Sequence, residues 1–369
     1  MRYLKWDETL FRDPEVFDLE YLPEEYLFRE TQLNRLSTNM KPAAKNSRPV
    51  NTLCLGPPGT GKTTAVKLIF KEMEEELENI IPVHINCQII TSKQQIFAKV
   101  FEKVHGYALP SYGTPFSKVY YNIMNKLVEG QKVLIIALDD LNFLLDDHII
   151  NETLYAFLRA HEEVEGAKIG VIGIATDLKL TARLDERTGS VFHPDEIYFP
   201  PYGKEEIKDI LDSRARSGFY QGVLQPEALE RIADLTYDGT DLRLGLHLLK
   251  MSGLEAERRA STRVELEDVE NASESGKKVF LRKMVQALRD NERTLLERIY
   301  SGEETTSGEL FNEMKDELNV GYTKFYEMIH KLESIKLIDT AFDKKMRGRT
   351  RTIAKRYDPQ MVLDALKEY

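Results

Sequence analysis

Apolar and polar residues follow two different periods along the chain, and the change of period divides the chain into regions. Five short apolar runs lie in the first two hundred residues, and amphipathic helical patterns separate them. Apolar strands that alternate with helices are typical of a parallel sheet covered on both faces. An α/β domain is therefore predicted over residues 1–200. The runs are VNTLCL (50–55), IIPVHIN (80–86), KVLIIALDD (132–140), AKIGVIGIA (167–175) and DEIYF (195–199).

The strand-like runs stop at PPY (200–202), and two helical regions of different character follow. Residues 203–273 contain helical patterns such as EEIKDILDSRAR and PEALERIADLTY, which predict a small helical lid over 201–276. Beyond it, three amphipathic patterns precede DTAFDKKMRGRTRTIAKRYD, which alternates enough for a two-stranded hairpin with Gly348 at its turn. Three helices and a basic hairpin predict a winged helix-turn-helix over 277–369.

Composition describes an ordinary soluble protein, but its charge is unevenly distributed. The 369 residues are 42% hydrophobic, and no apolar run approaches the ~18 residues of a membrane span. A net charge of −10 alone argues against a nucleic-acid partner, yet residues 277–369 hold 19 Lys and Arg against 16 Asp and Glu. Cys54 and Cys87 lie in strand-like runs, as expected for buried free thiols in a reducing cytosol. We expect a cytoplasmic protein without membrane contact.

Residues 56–63 read GPPGTGKT between an apolar run and a helical pattern, which is the context that a phosphate-binding loop requires. Glycines at 56, 59 and 61 allow the backbone to turn its N–H groups around a polyphosphate. Lys62 is placed to reach the β- and γ-phosphates, and the Thr63 hydroxyl to ligate Mg²⁺. ATP or ADP with Mg²⁺ is therefore the predicted ligand. The predicted nucleotide-binding residues of this loop are Gly56, Pro57, Pro58, Gly59, Thr60, Gly61, Lys62, Thr63 and Thr64.

The run VLIIALDD is an apolar strand that ends in two carboxylates. Asp139 is placed to hold Mg²⁺ together with Thr63. Asp140 occupies the position where P-loop ATPases of this kind generally carry a Glu that polarises the attacking water. Because the Asp side chain is shorter, slow ATP hydrolysis is predicted. IIPVHIN lies between the phosphate-loop strand and this acidic strand along the chain. That order fits the branch of P-loop ATPases whose sheet inserts a strand between those two.

Three further polar residues are candidates for the ATPase reaction. Thr176 follows the fourth strand and either senses the γ-phosphate or caps the next helix. Arg187, in LDERTGS, either faces the nucleotide of a neighbouring subunit or is a solvated surface residue. Arg243 opens a lid helix and either swings onto the γ-phosphate or stays on the helix surface. The predicted catalytic residues are Lys62, Asp140, Thr176, Arg187 and Arg243.

The segment YTKFYEMIHKLESIKLI (322–338) predicts a recognition helix. Its residues Phe325, Ile329, Leu332 and Ile335 recur at helical spacing and are predicted to face the core. The remaining side chains lie nearer solvent, able to contact base edges and phosphates in a major groove. The pair Tyr322 and Tyr326 serves either packing or base readout, and packing is the favoured interpretation. The residues predicted to lie nearer solvent are Tyr322, Thr323, Lys324, Tyr326, Glu327, His330 and Lys331.

The hairpin after this helix carries the stronger indication of DNA binding. Residues 344–356 contain seven basic residues and no acidic one, around a Gly-centred loop that fits in or along a minor groove. The alternative is a solvated hairpin or a wing that contacts protein. The predicted DNA-binding residues of the helix and the wing are Thr323, Lys324, Lys331, Arg347, Gly348, Arg349 and Arg351.

These motifs together resemble those of the archaeal origin-recognition initiators, AAA+ ATPases related to the eukaryotic origin recognition complex. The likeness runs from about residue 10 to 369 and includes LPEEYLFRETQLNRL (22–36), the phosphate loop, LIIALDD, LDERTGS, FPPY, the lid DLR and the Gly-Arg-Thr-Arg wing. The resemblance implies that residues 22–36 lie beside the adenine, and FPPY adds Tyr202 to the predicted nucleotide-binding residues. It also implies that residues ~88–128 form a helical insertion that touches DNA.

The chain departs from the family pattern at two places, and both departures concern ATP hydrolysis. Ala175-Thr176-Asp177 stands where the family usually has Ser-Asn-Asp, and Thr240 precedes Asp241-Leu242-Arg243 where Gly-Asp-x-Arg is usual. The resemblance implies an ATP/ADP-switched, sequence-selective protein that binds double-stranded origin repeats and helps load the replicative minichromosome maintenance helicase. Paralogous initiators are further expected partners, and a nucleoid-associated location is expected. A divergent paralogue that represses or modulates an initiator remains open, as does a signalling or regulatory P-loop ATPase whose winged helix binds protein or a promoter.

Overall fold

The computed structural model describes residues 9–109, 113–144, 149–286, 288–303, 305–335, 337–342 and 351–367. The chain forms two compact units that divide between residues 266 and 267. Within the described ranges, every helix is too short or too polar to cross a lipid bilayer. The predicted division into three domains, with boundaries after residues 200 and 276, stays a prediction.

A five-stranded parallel sheet forms the centre of the first unit, as the apolar runs predict. Its spatial order is β2-β3-β4-β1-β5. A strand does lie between β1 and β3 in this sheet, and it is β4. The strand that intervenes along the chain, β2, lies instead at the edge. The strands are β1 (Thr52–Leu55), β2 (Ile80–Asn86), β3 (Val133–Asp139), β4 (Lys168–Ala175) and β5 (Asp195–Tyr198).

The residues of β3 explain why the sheet is covered on both faces. Leu134 and Ile136 pack in one core cluster, whereas Ile135 and Ala137 pack in another. Successive side chains of a strand point to opposite faces, so an unbroken apolar run fits a sheet that is buried on both sides. The covering helices are α1 (Glu30–Ala44), α2 (Lys62–Glu76), α3 (Lys93–His105), α4 (Phe116–Glu129), α5 (Ile149–Leu158), α6 (Ala160–Glu163) and α7 (Glu186–Gly189).

Two details of this region match the sequence predictions. Cys54 and Cys87 are buried free thiols. Residues ~88–128 are helical in their described part, where α3 and α4 pack on the core through side chains that include Phe97 and Ile123. The DNA contact that the resemblance implies for this insertion stays a prediction.

Three helices form the predicted lid region of the first unit, and the N-terminal residues pack on them. A short 3₁₀ helix, Pro14–Phe17, brings Phe17 to 4.8 Å from the ring of Phe219. Gly253 leaves the room for this cluster, because a Cβ there would lie 2.4 Å from the Phe11 ring. Sequence reasoning did not predict this packing. The lid helices are α8 (Lys204–Gly218), α9 (Pro226–Gly239) and α10 (Leu242–Arg258).

The second unit contains the three helices and the two paired strands that the pattern predicts, although the pattern missed β6 and α15. Its assignment as a winged helix-turn-helix stays a prediction. Its antiparallel sheet has the order β6-β8-β7. Phe325, Ile329 and Leu332 are buried and Ile335 is half-buried, while Met328 is a core residue that the prediction omitted. The elements are α11 (Leu266–Gln286), α12 (Asp290–Ser301), β6 (Thr305–Thr306), α13 (Ser307–Leu318), α14 (Tyr322–Ser334), β7 (Ile338–Phe342), β8 (Arg351–Lys355) and α15 (Pro359–Leu366).

Candidate functional site

The phosphate loop joins β1 to α2, and its glycines adopt backbone conformations that other residues avoid. The φ angles are 145° at Gly56, 70° at Gly59 and 92° at Gly61. A Cβ at Gly56 would lie 2.2 Å from the carbonyl oxygen of Phe199, and one at Gly61 would lie 2.4 Å from the hydroxyl of Tyr26. Gly61 is also the N-cap of α2, so the unpaired N–H groups of that helix face the loop. Both the backbone angles and the packing therefore require these glycines.

Lys62 lies inside the loop, held by carbonyl oxygens. Its Nζ donates to Gly56 O and Pro57 O, both at 2.7 Å. Among the residues that the structure describes, no carboxylate lies within ion-pair distance of this ammonium group. Burial lowers the pKa of Lys62. An ammonium group that donates only to carbonyl oxygens, with the Asp139 and Asp140 carboxylates acting on it from beyond ion-pair distance, is suited to pair with a phosphate.

Asp139 ends β3 beside the loop, as predicted, and three donors hold its carboxylate. Thr63 Oγ1 donates to Asp139 Oδ2 at 2.9 Å, His84 Nε2 lies 3.0 Å from the same oxygen, and Asp140 N donates to Oδ1 at 3.0 Å. Burial by itself would raise the pKa of Asp139, but the hydrogen bonds from His84 and Thr63 outweigh it and the pKa is lowered. The oxygens of Thr63 and Asp139 are the hard donors that Mg²⁺ prefers.

The backbone conformation at position 140 favours Asp over the longer Glu. Its φ is 54°, in the left-handed region that Asp enters more readily than Glu. Burial and the neighbouring Asp139 charge raise the pKa of Asp140, and Gln88 Nε2 donates to its Oδ2 at 2.9 Å. The position therefore accommodates Asp with less backbone strain than the Glu that is usual in these ATPases.

One cavity of about 590 Å³ collects most of the predicted nucleotide-site residues. Aromatic and aliphatic side chains, including Tyr21, Tyr26, Ile210 and Leu246, also line it. Such a mixture of apolar walls and a few polar groups is usual for a small-molecule site of this size. Gly56, Pro57 and Arg187 are not among the lining residues. The predicted residues that do line the cavity are Pro58, Gly59, Thr60, Gly61, Lys62, Thr63, Thr64, Asp139, Asp140, Thr176, Tyr202 and Arg243.

The two predicted sensors of the γ-phosphate both line this cavity, from opposite parts of the unit. Thr176 follows β4, and its Oγ1 lies 3.5 Å from Asn142 Oδ1. Arg243 is exposed at the start of α10, where the side chain of Asp241 caps the helix. Asp241 approaches the phosphate loop so closely that a Cβ at Gly59 would lie 2.2 Å from its Oδ1. The lid therefore meets the phosphate loop beside the predicted sensor arginine.

Arg187 lies outside the cavity. It belongs to α7, is exposed, and its guanidinium carbon lies 5.1 Å from the centroid of the Tyr155 ring. A contact with a neighbouring subunit's nucleotide stays a prediction for this residue.

Arg29 is a site residue that sequence reasoning missed. It is 2% exposed, and its guanidinium donates to the carbonyl oxygens of Thr60 at 3.2 Å and Pro200 at 2.5 Å. The guanidinium carbon also lies 3.7 Å from the centroid of the Tyr202 ring. Tyr26, in the same N-terminal segment, donates to Gly61 O at 2.7 Å. Residues 22–36 therefore support the phosphate loop directly, beyond the adenine contact that the resemblance implies for them.

On the predicted recognition helix α14, the first turn is exposed to solvent. Thr323 and Lys324 are both exposed, and the ammonium group of Lys324 lies 2.7 Å from a carboxylate oxygen of Glu327. Tyr322 packs against Tyr326 with ring centroids 4.5 Å apart. The two rings contact each other while Tyr322 stays exposed, and the preference for packing over base readout stays a prediction.

Two other predicted DNA contacts form ion pairs within the second unit. Lys331 Nζ lies 2.5 Å from Oε2 of the buried Glu292 and links α14 to α12. Arg351 Nη1 lies 3.2 Å from Oε2 of Glu333 and links β8 to α14. A phosphate contact by either side chain stays a prediction. The predicted contacts Arg347, Gly348 and Arg349 lie outside the described residues.

The sheet order, the phosphate loop and the acid at the end of β3 define the chain as an AAA+ P-loop ATPase. Residues 46–184 match the family model of an AAA domain, and residues 208–274 match that of a Cdc6 AAA+ ATPase-type lid domain. The chain is 42% identical over 369 residues to ORC1-type DNA replication protein 3 of Haloarcula marismortui, covering 99% of this chain and 98% of that one. It belongs to the family of ORC1-type DNA replication proteins.

Solved structures agree with this assignment. The Aeropyrum pernix ORC1 protein in complex with DNA is similar with a TM-score of 0.81 and 27% identity, over 98% of both chains. The Aeropyrum pernix ORC2 protein in its ADPNP-ADP complexes has a TM-score of 0.72 at 22% identity, again over 98% of both chains, and supports the fold alone. Family membership carries with it ATP binding, ATPase activity and a role in origin-associated initiation of DNA replication.

Proposed function

We propose that this chain binds double-stranded origin repeats sequence-selectively, that ATP and ADP switch this binding, and that it helps recruit or load the replicative minichromosome maintenance helicase. The observation that carries the proposal is the single cavity lined by both the phosphate loop and the lid residue Arg243. A nucleotide bound there contacts both parts at once. Membership of a replication family favours this function over the signalling or promoter-binding alternative.

The switch between the ATP-bound and ADP-bound states depends on which residues contact the γ-phosphate. Lys62, Thr176 and Arg243 are the proposed readers, since each lines the cavity with a donor or a positive charge. Thr63 and Asp139 would hold Mg²⁺, which would offset the charge of the phosphates. The population shift is limited by the difference in nucleotide affinity between the two conformers.

Slow hydrolysis would let the rate of ATP cleavage set how long the protein stays in its ATP-bound state. Asp140 is the proposed group that polarises the attacking water, and its short side chain on left-handed backbone supports a low rate. Arg187 is the proposed contact with the nucleotide of a neighbouring subunit. Paralogous initiators are further proposed partners, and the proposed location is the cytoplasm, in association with the nucleoid.

DNA binding is assigned to the second unit and to the helical insertion. We infer major-groove contacts from Thr323, Lys324 and Lys331 of α14, and minor-groove contacts from the wing. A relative with 27% identity, the Aeropyrum pernix ORC1 protein, was solved in complex with DNA, which supports this assignment. The proposed wing contacts are Arg347, Gly348, Arg349 and Arg351.

The decisive experiment is recovery of sheared genomic DNA by the pure protein, with ATP or ADP, at near-physiological salt, read by sequencing. We expect enrichment of one or a few intergenic loci that share a short repeated element, with a different footprint for each nucleotide. Lys62→Ala and Arg243→Ala should remove the difference, whereas Lys71→Ala, on the exposed surface of α2, should keep it. The proposal is refuted if no locus is enriched. It is also refuted if the footprints of both Lys62→Ala and Arg243→Ala still differ between ATP and ADP.

A further inference from the structure

His84 lies on β2, beside the acidic strand, and its side chain reaches the acid at the end of that strand. β2 and β3 are parallel neighbours, with His84 in register with Ala137, two residues before Asp139. The Nε2 atom lies 3.0 Å from Asp139 Oδ2, the oxygen that also accepts the Thr63 hydroxyl at 2.9 Å. The His84 side chain is 24% exposed, whereas the preceding and following residues of β2 are buried. The ring is therefore partly exposed beside Asp139 rather than packed in the core, and of the two residues Asp139 is the one that lines the nucleotide cavity.

The direction of this hydrogen bond follows from the charge of its partner. A carboxylate that binds a metal has only acceptor oxygens, so Asp139 Oδ2 accepts and His84 Nε2 carries the proton. The other two donors to this carboxylate are the Thr63 hydroxyl and the main-chain N–H of Asp140. Thr63 is itself a proposed metal ligand. His84 is therefore the one side-chain donor, among the described residues in contact with Asp139, that is free of a second role in the site.

We propose that His84 is a positioning residue of the magnesium site, whose Nε2–H orients the Asp139 carboxylate to receive the Mg²⁺ of the bound nucleotide. The inference rests on the proposed function, because that proposal assigns Mg²⁺ to Thr63 and Asp139. Ligating carboxylates are commonly fixed by outer hydrogen bonds, whose loss costs about 10–100-fold in metal affinity or activity. The spacing of histidines in the sequence gave no indication of this role, because the contact joins two different strands.

The test measures the affinity of the full chain for a fluorescent ATP analogue in excess Mg²⁺ and again in EDTA. The ratio of the two affinities reports how strongly the metal is coupled to nucleotide binding. His84→Leu keeps a side chain of similar bulk without a donor, and we expect it to lower this ratio about tenfold. His84→Gln restores an N–H at comparable reach and should return the ratio to within about threefold of the wild type. His105→Leu, the same change in α3 where the ring packs on Phe101, should leave the ratio unchanged.

The affinity in EDTA separates positioning from a structural role. A fold defect weakens binding in both solutions equally, so a His84→Leu protein that loses affinity in EDTA by the same factor overturns the proposal. An unchanged ratio in His84→Leu overturns it as well. Asp139→Asn tests the underlying assignment on its own. If that variant keeps the wild-type ratio, the Mg²⁺ site of the proposed function is wrong, whatever His84 does.

Discussion

Positive side chains in the nucleotide site have different kinds of partners from those on the predicted DNA face, by which we mean the predicted DNA-binding residues of α14 and the wing. In the first unit, Lys62 and Arg29 donate hydrogen bonds to carbonyl oxygens, Arg29 also lies over the Tyr202 ring, and both side chains are buried. In the second unit, the described cations that we predict to contact DNA each lie on a carboxylate, as Lys331 does on Glu292. Carbonyl dipoles leave the charge of a cation uncompensated, whereas a carboxylate neutralises it. The nucleotide site is therefore prepared for an anion, whereas the predicted DNA contacts would have to exchange internal partners for phosphates.

The two regions also differ in backbone conformation. Residues around the nucleotide cavity adopt left-handed conformations, including Phe28, Asp140 and Thr240. The predicted DNA face is built on the regular helix α14 and strand β8. Strained backbone persists only where the surrounding structure holds it in place. The left-handed residues around the nucleotide cavity therefore depend on the contacts that surround them, such as those of Arg29 with Thr60 and Pro200.

The largest effect that this comparison predicts is at Arg29. Arg29→Ala removes a buried guanidinium and leaves the carbonyl oxygens of Phe28, Thr60 and Pro200 without this donor. We expect the unfolding free energy of the first unit to fall by about 3 kcal/mol, since a buried unsatisfied group costs about 1–3 kcal/mol. Urea denaturation followed by circular dichroism measures the change.

Arg35→Ala is the matched control for this variant. Arg35 lies on α1, is exposed, and pairs with Asp195. Exposed ion pairs contribute about 0–1 kcal/mol, so this change should cost less than about 1 kcal/mol. Equal losses for the two arginines would remove the distinction between a buried cation on carbonyl oxygens and an exposed cation on a carboxylate.

Local sequence patterns predicted what depends on adjacent residues. The glycines of the phosphate loop, the acid at the end of β3 and the core face of α14 follow from spacing within one segment, and the structure has them where expected. Arg29 and His84 were missed because their partners are distant in sequence: Arg29 contacts Pro200 and His84 contacts Asp139. The packing of Phe11 and Phe17 on the lid was missed for the same reason.

A second prediction tests the other side of the comparison, at Lys331. Lys331→Ala leaves the buried Glu292 carboxylate without its ammonium partner, so we expect the second unit to lose about 2 kcal/mol of stability. The same change should flatten the salt dependence of DNA binding by less than the ~0.9 of a full phosphate contact, because the wild-type side chain has to give up Glu292 to reach a phosphate. Urea denaturation and duplex binding at several salt concentrations measure the two effects.

The predicted wing arginines test the same question with three side chains, of which Arg351 also has a carboxylate partner. Replacing Arg347, Arg349 and Arg351 together with Ala should flatten the salt slope by up to ~0.9 for each lost phosphate contact. If Lys331→Ala flattens the slope as much as one wing arginine does, its pairing with Glu292 gives way to phosphate in the complex. An unchanged slope in the triple variant would contradict the assignment of the wing to DNA.

The smallest predicted effect concerns backbone strain, which both units contain at the end of one helix. Thr240 ends α9 with a φ of 55°, and Asn319 ends α13 with a φ of 50°. A β-branched residue is strained in this region, whereas Asn enters it readily. Thr240→Gly should therefore stabilise the first unit by about 1 kcal/mol, even after the entropy that glycine adds to the unfolded chain. Asn319→Gly should change the second unit by only a few tenths of a kcal/mol. Thermal and urea unfolding of the two variants measure the difference. Equal gains in unfolding free energy would mean that the turn at Thr240 stores no more strain than the turn at Asn319. Backbone strain would then not distinguish the nucleotide site, which would differ from the second unit by its buried contacts alone.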